Sequence, residues 1–306
     1  MALIDYSTKR ALWPTQETIS EWIGTATNSA GWLDIAAAGD IMCGATARNA
    51  TLIWTTRGMW AMTYIGEPLY YRAERVGDNC GIIGVHAAVV LDAAAYWMGT
   101  NGFFAFDGFA RPISCDVYDY VFGSLNRSYA FRIWAYANTP YNEITWHYPS
   151  ASAVVCDRYV TYNYIENHWV IGTLDRACGV SAAQGGTSPI LFNSSGEMFD
   201  HETALARNSE GTPSLESGPL ELEDGDNLVQ IQKIIPDDET VGDVNLTIYG
   251  AQNPDSAETT YGPYTLTAST SVRVKARQAR LKLTEAVANA WRVGVIRLGV
   301  VKSSRR

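Results

Sequence analysis

The sequence predicts an all-β protein in which a propeller-like repeat of β-hairpins, or blades, precedes a small C-terminal β-sandwich. First, 11% of its 306 residues are aromatic and 26 are Gly, a composition that favours strands and tight turns. Second, apolar and aromatic runs around short turns recur along the first 200 residues. Third, the composition changes after residue 203. With 47% hydrophobic residues, the chain can bury a core.

Residues 94–108 define the repeating shape. An apolar run containing Tyr96 and Trp97 ends at a Gly99–Gly102 turn, and the aromatic run Phe103–Phe106 follows. Two short strand-forming runs around a Gly/Asn turn predict a β-hairpin. A hairpin this aromatic is not stable alone, so we expect it to pack on similar hairpins.

The same shape recurs with turns near residues 17, 57, 101, 151 and 195. A spacing of about 40 to 50 residues is typical of four-stranded propeller blades. A non-repeating β-sandwich with regular hairpins is the alternative, and we favour the propeller. The predicted hairpins span residues 11–23 (the weakest), 52–62, 94–108, 144–164 and 190–199.

The remaining segments of the repeat region have distinct patterns. Residues 24–31 are predicted to form a loop, and 34–44 a strand or a short helix. Acidic and apolar residues alternate at helical spacing over 116–127, which predicts a short helix before a strand at 131–138. A turn is predicted at Glu166-Asn167.

A polar linker at 203–218 separates the predicted domains, 1–205 and 216–306. Residues 216–243 hold nine acids and one base, whereas 273–306 hold ten bases and one acid, so cross-strand ion pairs are expected in the sandwich. The strand 272–277 alternates apolar and basic residues. It could contact nucleic acid or protein, but we favour a solvated face neutralised by the acidic strands.

Charge and cysteine usage exclude several function classes. The formal charge is −9, and residues 1–206 carry most of the acidic excess, so the repeat region is not expected to bind DNA tightly. Five cysteines without a Cys-x-x-Cys pair predict reduced, mostly buried thiols and no zinc site or disulfide framework. We predict no cofactor, no membrane span and no secretory signal. The scattered cysteines and histidines are Cys43, Cys80, Cys115, Cys156, Cys178, His86, His147, His168 and His201.

No catalytic motif is recognisable, and the sequence predicts a non-enzyme with no assigned catalytic, metal or binding residues. Ser195 lies in a predicted turn without a nearby His, so a triad is not supported. Glycosidases need two facing carboxylates, and no spacing fixes such a pair here. Aromatic side chains could stack sugars, although packing between blades is the favoured interpretation. The acid/base candidates are Asp107, Asp119, Asp157, Glu166, His147 and His168.

Taken together and in this order, a series of short motifs resembles the DNA-stabilisation, or tail-nozzle, proteins of short-tailed bacteriophages (the tubular tail protein B-like family). The motifs are Asn79-Cys80-Gly81-Ile82-Ile83-Gly84, Ala95-Tyr96-Trp97-Met98-Gly99, Asn101-Gly102-Phe103, Asp107-Gly108, Asp119-Tyr120-Val121-Phe122, Leu125-Asn126, Tyr141-Asn142-Glu143-Ile144, Trp146, Tyr148-Pro149, Asp157-Arg158-Tyr159-Val160, Tyr162-Asn163-Tyr164, Glu166-Asn167, Trp169, Ala290-Trp291-Arg292-Val293-Gly294 and Ile296-Arg297-Leu298.

The resemblance implies a structural virion protein, made in the host cytoplasm and located in the tail. Such proteins form a hexameric ring below the portal and adaptor rings, retain packaged DNA and conduct it at ejection. No catalytic residues come with the family. Its members are usually longer at the N-terminus, so either this propeller is smaller or another chain completes it. A glycan-binding or glycan-cleaving propeller is the alternative function.

Overall fold

A computed structural model describes residues 3–5, 8–16, 18–35, 39–181, 186, 188–203, 212–222, 227–253, 255–287 and 290–302. The chain divides into two compact units, Met1–Thr203 and Ala204–Arg306. Strands predominate in both units, as the sequence predicts for an all-β protein.

The first unit is a series of five antiparallel sheets, each built from consecutive strands in chain order. This repetition confirms the propeller-like architecture, and the sheets are called blades 1 to 5 below. Blade 1 contains β1 (Leu3–Asp5), β2 (Arg10–Trp13) and β3 (Gly31–Asp34). Blade 2 contains β4 (Ile41–Thr46), β5 (Thr51–Thr55), β6 (Gly58–Gly66) and β7 (Tyr70–Asp78). Blade 3 contains β8 (Ala88–Leu91), β9 (Ala94–Gly99), β10 (Gly102–Phe106) and β11 (Ala110–Ile113).

Helical segments lie around blade 4. They are the helix α1 (Tyr118–Gly123) and the 3-10 segments Arg127–Arg132 and Thr139–Tyr141. Blade 4 contains β12 (Trp134–Asn138), β13 (Glu143–Tyr148), β14 (Arg158–Asn163) and β15 (His168–Thr173). Blade 5 contains β16 (Cys178–Val180), β17 (Ile190–Phe192) and β18 (Met198–Asp200).

Four of the five predicted hairpins are present. In the hairpin at 94–108, Gly99 pairs with Gly102 across a two-residue turn, and Gly102 has a φ of 147° that favours glycine. Asn167 has a φ of 58° in the predicted turn between β14 and β15.

The hairpin predicted over residues 11–23 is wrong. The strand β2 pairs instead with β3, with Leu12 opposite Trp32. Polar side chains in the intervening loop bind its backbone in place of a second strand. For example, Ser29 Oγ accepts a hydrogen bond from Gln16 N at 2.8 Å.

The helix predicted within 116–127 is present as α1, but the following strand begins later than expected. Phe131 lies in the 3-10 segment, and β12 starts only at Trp134. Asn126 Oδ1 accepts from Ser128 N at 3.2 Å and caps this segment, which favours helical turns over an extended backbone.

Aromatic side chains fill the main core between blades 2, 3 and 4. Trp97 is fully buried, stacks on Phe104 at 5.6 Å and meets the edge of Trp54 at 5.9 Å. Its Nε1 donates to the Cys80 carbonyl at 2.7 Å. The core therefore joins neighbouring blades through aromatic contacts and buried, satisfied hydrogen bonds.

The second unit consists of two antiparallel sheets around one apolar core, which confirms the predicted β-sandwich. One sheet has the order β19-β25-β22-β23, with β20 also paired to β25, and the other has the order β24-β21-β26. The strands are β19 (Ser214–Glu216), β20 (Leu220–Glu221), β21 (Val229–Pro236), β22 (Val244–Ala251), β23 (Thr259–Thr265), β24 (Thr270–Ala276), β25 (Gln278–Glu285) and β26 (Ile296–Lys302). The strand β19 lies within the segment that the sequence predicts as a linker.

Ion pairs link acidic and basic residues on the larger sheet. Glu216 lies opposite Lys282 in register, and its carboxylate pairs with both Lys282 and Arg280. Arg280 also binds Glu258, with Nε 3.1 Å from Oε1. The predicted cross-strand pairing is therefore correct for β25.

The strand 272–277 has the solvated face that the sequence predicts, but its neutralisation by acidic strands is not found among the described residues; Glu223, Asp224 and Asp226 lie outside them. Arg273 and Lys275 are exposed on β24, whose sheet neighbour is β21, and β21 contains no Asp or Glu. Neither side chain forms an ion pair with any residue that the structure describes. The acids that neutralise β25 belong to the other sheet.

Candidate functional site

A cavity of about 640 Å³ lies where the first strands of blades 2 to 5 meet. We call it the axial cavity. It is lined by Cys43, Gly44, Ala45, Trp54, Val85, His86, Ala88, Phe131, Arg132, Trp134, Ala135, Val155, Cys156, Ala177, Cys178 and Gly179.

Backbone and side-chain hydrogen bonds hold these first strands together. Ala135 N donates to the His86 carbonyl at 2.9 Å, beside a bridge between His86 and Trp134. Trp134 Nε1 donates to the Arg176 carbonyl at 3.0 Å, which ties blade 4 to the start of blade 5. The wall of the axial cavity is thus part of the framework of the unit.

Apolar and aromatic side chains make up most of the described lining of the axial cavity. Among the described residues the lining contains no Asp or Glu, and its charged group is the Arg132 guanidinium. Burial raises the pKa of the thiols of Cys43 and Cys156 to about 12, so both are neutral at pH 7. Trp54 is fully buried, and its Nε1 has no hydrogen-bond partner among the described residues.

The acidic acid/base candidates do not converge. Asp107 pairs with Arg111 at 3.2 Å on the surface, and Asp119 is exposed on α1. Asp157 accepts from Ser150 N at 2.7 Å and Ser150 Oγ at 2.6 Å, which is turn chemistry. Within the described residues, these carboxylates therefore do not form a facing pair.

The remaining candidates are equally separate. Glu166 pairs with His168 at 3.3 Å on exposed side chains. His147 is 1% exposed and stacks on Trp134 with 4.7 Å between ring centroids. Burial, together with the nearby His201 and Arg176, lowers the pKa of His147 to about 3. Ser195 N donates to Asn193 Oδ1 at 3.0 Å within a turn.

Sequence reasoning did not find the residues of the axial cavity. Cys43, Cys156 and Cys178 lie far apart in sequence, yet all three line it, and Cys178 is exposed rather than buried as most thiols were expected to be. The described residues contain no group of three or more His, Cys, Asp or Glu that could hold a metal ion. No short-range spacing signals this cluster, because it depends on how the blades are arranged.

The large aromatic residues mostly form the core. Trp54, Trp97 and Trp146 are fully buried, as expected for packing between blades rather than for a sugar-stacking surface. Phe131, which is 60% exposed, is the aromatic side chain most open to solvent among those lining the axial cavity.

Polar groups of the motif series are used inside the fold. Asn126 Nδ2 donates to the Ala153 carbonyl at 2.8 Å, and Asn163 Oδ1 accepts from the backbone of Ile165 and Glu166. Tyr162 Oη donates to Asn167 Oδ1 at 2.6 Å. These side chains fix turns around blade 4 and do not point to a common reaction centre.

Comparison with known proteins identifies no family. No family model matches the chain, and no curated protein matches it. Among solved structures, a glycoside hydrolase aligns over 94% of each chain with 10% identity and a TM-score of 0.23. An exo-β-1,3-galactanase from Phanerochaete chrysosporium, solved with β-1,3-galactotriose, aligns over 97% of this chain and 80% of its own, with 9% identity and a TM-score of 0.24. Likenesses this weak carry no argument about activity.

Helices long and apolar enough to cross a membrane are absent from the part of the chain that the structure describes.

Proposed function

We propose that this protein is a non-catalytic structural subunit, and specifically a tail-nozzle component of a short-tailed bacteriophage. One observation supports the non-catalytic part: no described residue that lines the axial cavity is a carboxylate, and the candidate acids Asp107 and Asp157 are engaged elsewhere. The phage assignment rests on the motif resemblance.

The distribution of the motif residues supports a framework role. Asn126, Asn163 and Trp97 each hold a turn or a blade junction by a hydrogen bond. Side chains used in this way stabilise the shape of the unit, which agrees with a structural role.

An exposed apolar hairpin supports assembly with other subunits. The strands β6 and β7 are nine residues each, and the end of their hairpin exposes Tyr64 by 63%, Ile65 by 49% and Leu69 by 68%. Large apolar side chains exposed near one another are typical of contact sites in proteins that work in complexes. Formation of a homo-oligomeric ring would cover it.

Deleting the gene in the phage tests this proposal. Particles assembled without this chain should package DNA and then lose it, because the tail channel is not closed. DNA protected from nuclease should fall severalfold relative to complemented particles. Full retention of protected DNA and normal infectivity in the deletion would contradict the nozzle role.

Glycan binding in the axial cavity is the second candidate, and the aromatic lining favours it. Phe131 is 60% exposed and offers a ring face on which a sugar can stack. The absence of a lining carboxylate favours binding over cleavage.

Titration of the purified protein against a glycan panel tests the second candidate. Loss of a glycan signal in Phe131→Ala, with retention in Phe109→Ala, would support it. Phe109 is the matched control because it is also exposed, by 63%, and lies outside the cavity lining. No signal from any glycan would reject this candidate.

A further inference from the structure

One face of the C-terminal sandwich carries basic side chains without any acid. The sheet β24-β21-β26 contains no Asp or Glu in its three strands. Its exposed bases are Lys233, Arg273, Lys275, Arg297 and Lys302. Lys302 lies opposite the buried Val229, so it belongs to the other side of the sheet. In a chain with 32 acids and 23 bases, this separation of charge requires a physical reason.

The register places Lys233, Arg273, Lys275 and Arg297 on the outer side of the sheet. Val272, Val274 and Ala276 are buried, so Arg273 and Lys275 between them point outward. Lys233 pairs with Ser271 on one side and Gly299 on the other. We call the outward side of these three strands the basic face.

Arg297 joins the same face from the third strand. Its neighbours Ile296 and Leu298 pack on the sandwich core, so its own side chain points away from the core. Neighbouring strands lie about 5 Å apart and alternate residues about 7 Å apart, so the four residues lie within roughly 20 Å of one another. None of them has an ion pair or hydrogen bond with the described residues.

We propose that the basic face binds the phosphate backbone of duplex DNA without reading its sequence. Four cations on a rigid sheet match a regular array of phosphates, and Gln230 and Ser271 add hydrogen-bonding groups beside them. The strands present no outward aromatic side chain, so bases of a single strand would find nothing to stack on.

The composition of the face argues against a protein partner as its occupant. Interface cores are rich in aromatic and apolar residues, whereas the apolar side chains here are Ile235 and Val301. The inference supplies a DNA contact for the proposed tail role but does not depend on that role, because it follows from the charges alone.

Fluorescence anisotropy with a labelled 30-base-pair duplex tests the proposal on the full-length chain. If all four cations displace counterions, affinity should fall with salt with a log–log slope near −3.6, or roughly 150-fold between 50 and 200 mM salt. In the double variant Arg273→Gln/Lys275→Gln the slope should be only about −1.8, so that the affinity falls roughly 12-fold over the same range of salt.

Lys282→Gln is the matched control for Arg273→Gln, since each removes one positive charge from a strand of the same sandwich. Lys282 already pairs with Glu216, so its loss should leave the slope unchanged, whereas Arg273→Gln should reduce it by about one.

Three results would overturn the proposal: no binding at 50 mM salt, equal effects of the two single variants, or salt-dependent self-association in place of DNA binding. The deletion experiment on phage particles has a separate readout, so the nozzle role and the basic face can fail independently.

Discussion

Gly81→Ala should destabilise the propeller-like unit because this glycine lies against the backbone of another segment. A methyl group at residue 81 would collide with the Thr56 carbonyl and lie 2.7 Å from Arg57 N. Two hydrogen bonds prevent the backbone at Thr56 from moving away from residue 81. Thr55 Oγ1 accepts a hydrogen bond from Gly58 N at 2.9 Å, and Ile82 N donates one to the Thr55 carbonyl at 3.2 Å.

The expected cost follows from these contacts. Overpacking costs about 1–3 kcal/mol and loss of the adjacent hydrogen bond about 1 kcal/mol, so we expect a loss of about 2–4 kcal/mol in the free energy of unfolding. For a unit of this size the melting temperature should fall by roughly 4–16 °C.

Tryptophan fluorescence is the appropriate assay, because nine of the ten Trp residues lie in the first unit. Gly123→Ala is the control: it ends α1, and an added methyl group meets no atom within 4 Å. That variant should change stability by about 1 kcal/mol or less. Equal melting temperatures for Gly81→Ala and the wild type would refute the assigned packing.

Three further predictions concern titration, reactivity and catalysis. His147 is held neutral with its pKa lowered to about 3, so the unfolded state binds its proton more readily, and the first unit should lose stability as the pH falls from about 6.5 toward 3. His147→Phe should flatten that dependence in urea unfolding, and an unchanged slope would contradict the assigned burial. Cys178 is exposed, so it should react with a thiol reagent at pH 8 much faster than Cys43 or Cys156, in each of which burial raises the pKa to about 12. Peptide mapping would measure the labelling of each thiol. Faster labelling of Cys43 or Cys156 than of Cys178 would contradict the structure. The double variant Asp107→Asn/Asp157→Asn should leave any glycan binding unchanged, and loss of glycan turnover in a folded, assembling protein would show that the chain is an enzyme.

Local patterns in the sequence were sufficient to find most hairpins. The Gly99–Gly102 turn and its flanking aromatic residues encode β9 and β10, because a two-residue turn brings adjacent strands together. The strand β2 has its partner β3 beyond a long polar loop, so no short-range signal identified the pair.

Features that depend on the arrangement of strands could not be read from the sequence. The alternation of apolar and basic residues in β24 predicted one solvent-exposed face. Whether acids neutralise the basic side chains on that face depends on which strands are neighbours in the sheet. Glu216 is opposite Lys282 and not Lys275, so only β25 is neutralised by this acid. In the same way, Cys43 and Cys178 line one cavity because four blades meet there.

Locating the chain in the particles of a phage that encodes it would decide between the proposed nozzle role and its alternative. Electron microscopy of intact particles, with symmetry averaging of the tail, would show whether density that fits the five blades and the sandwich forms a ring on the tail axis. If the proposed role is correct, a six-fold ring surrounds the DNA channel at the tip of a short tail. Absence from the axis, or a three-fold location at the tail periphery, would contradict it and favour the glycan-binding alternative.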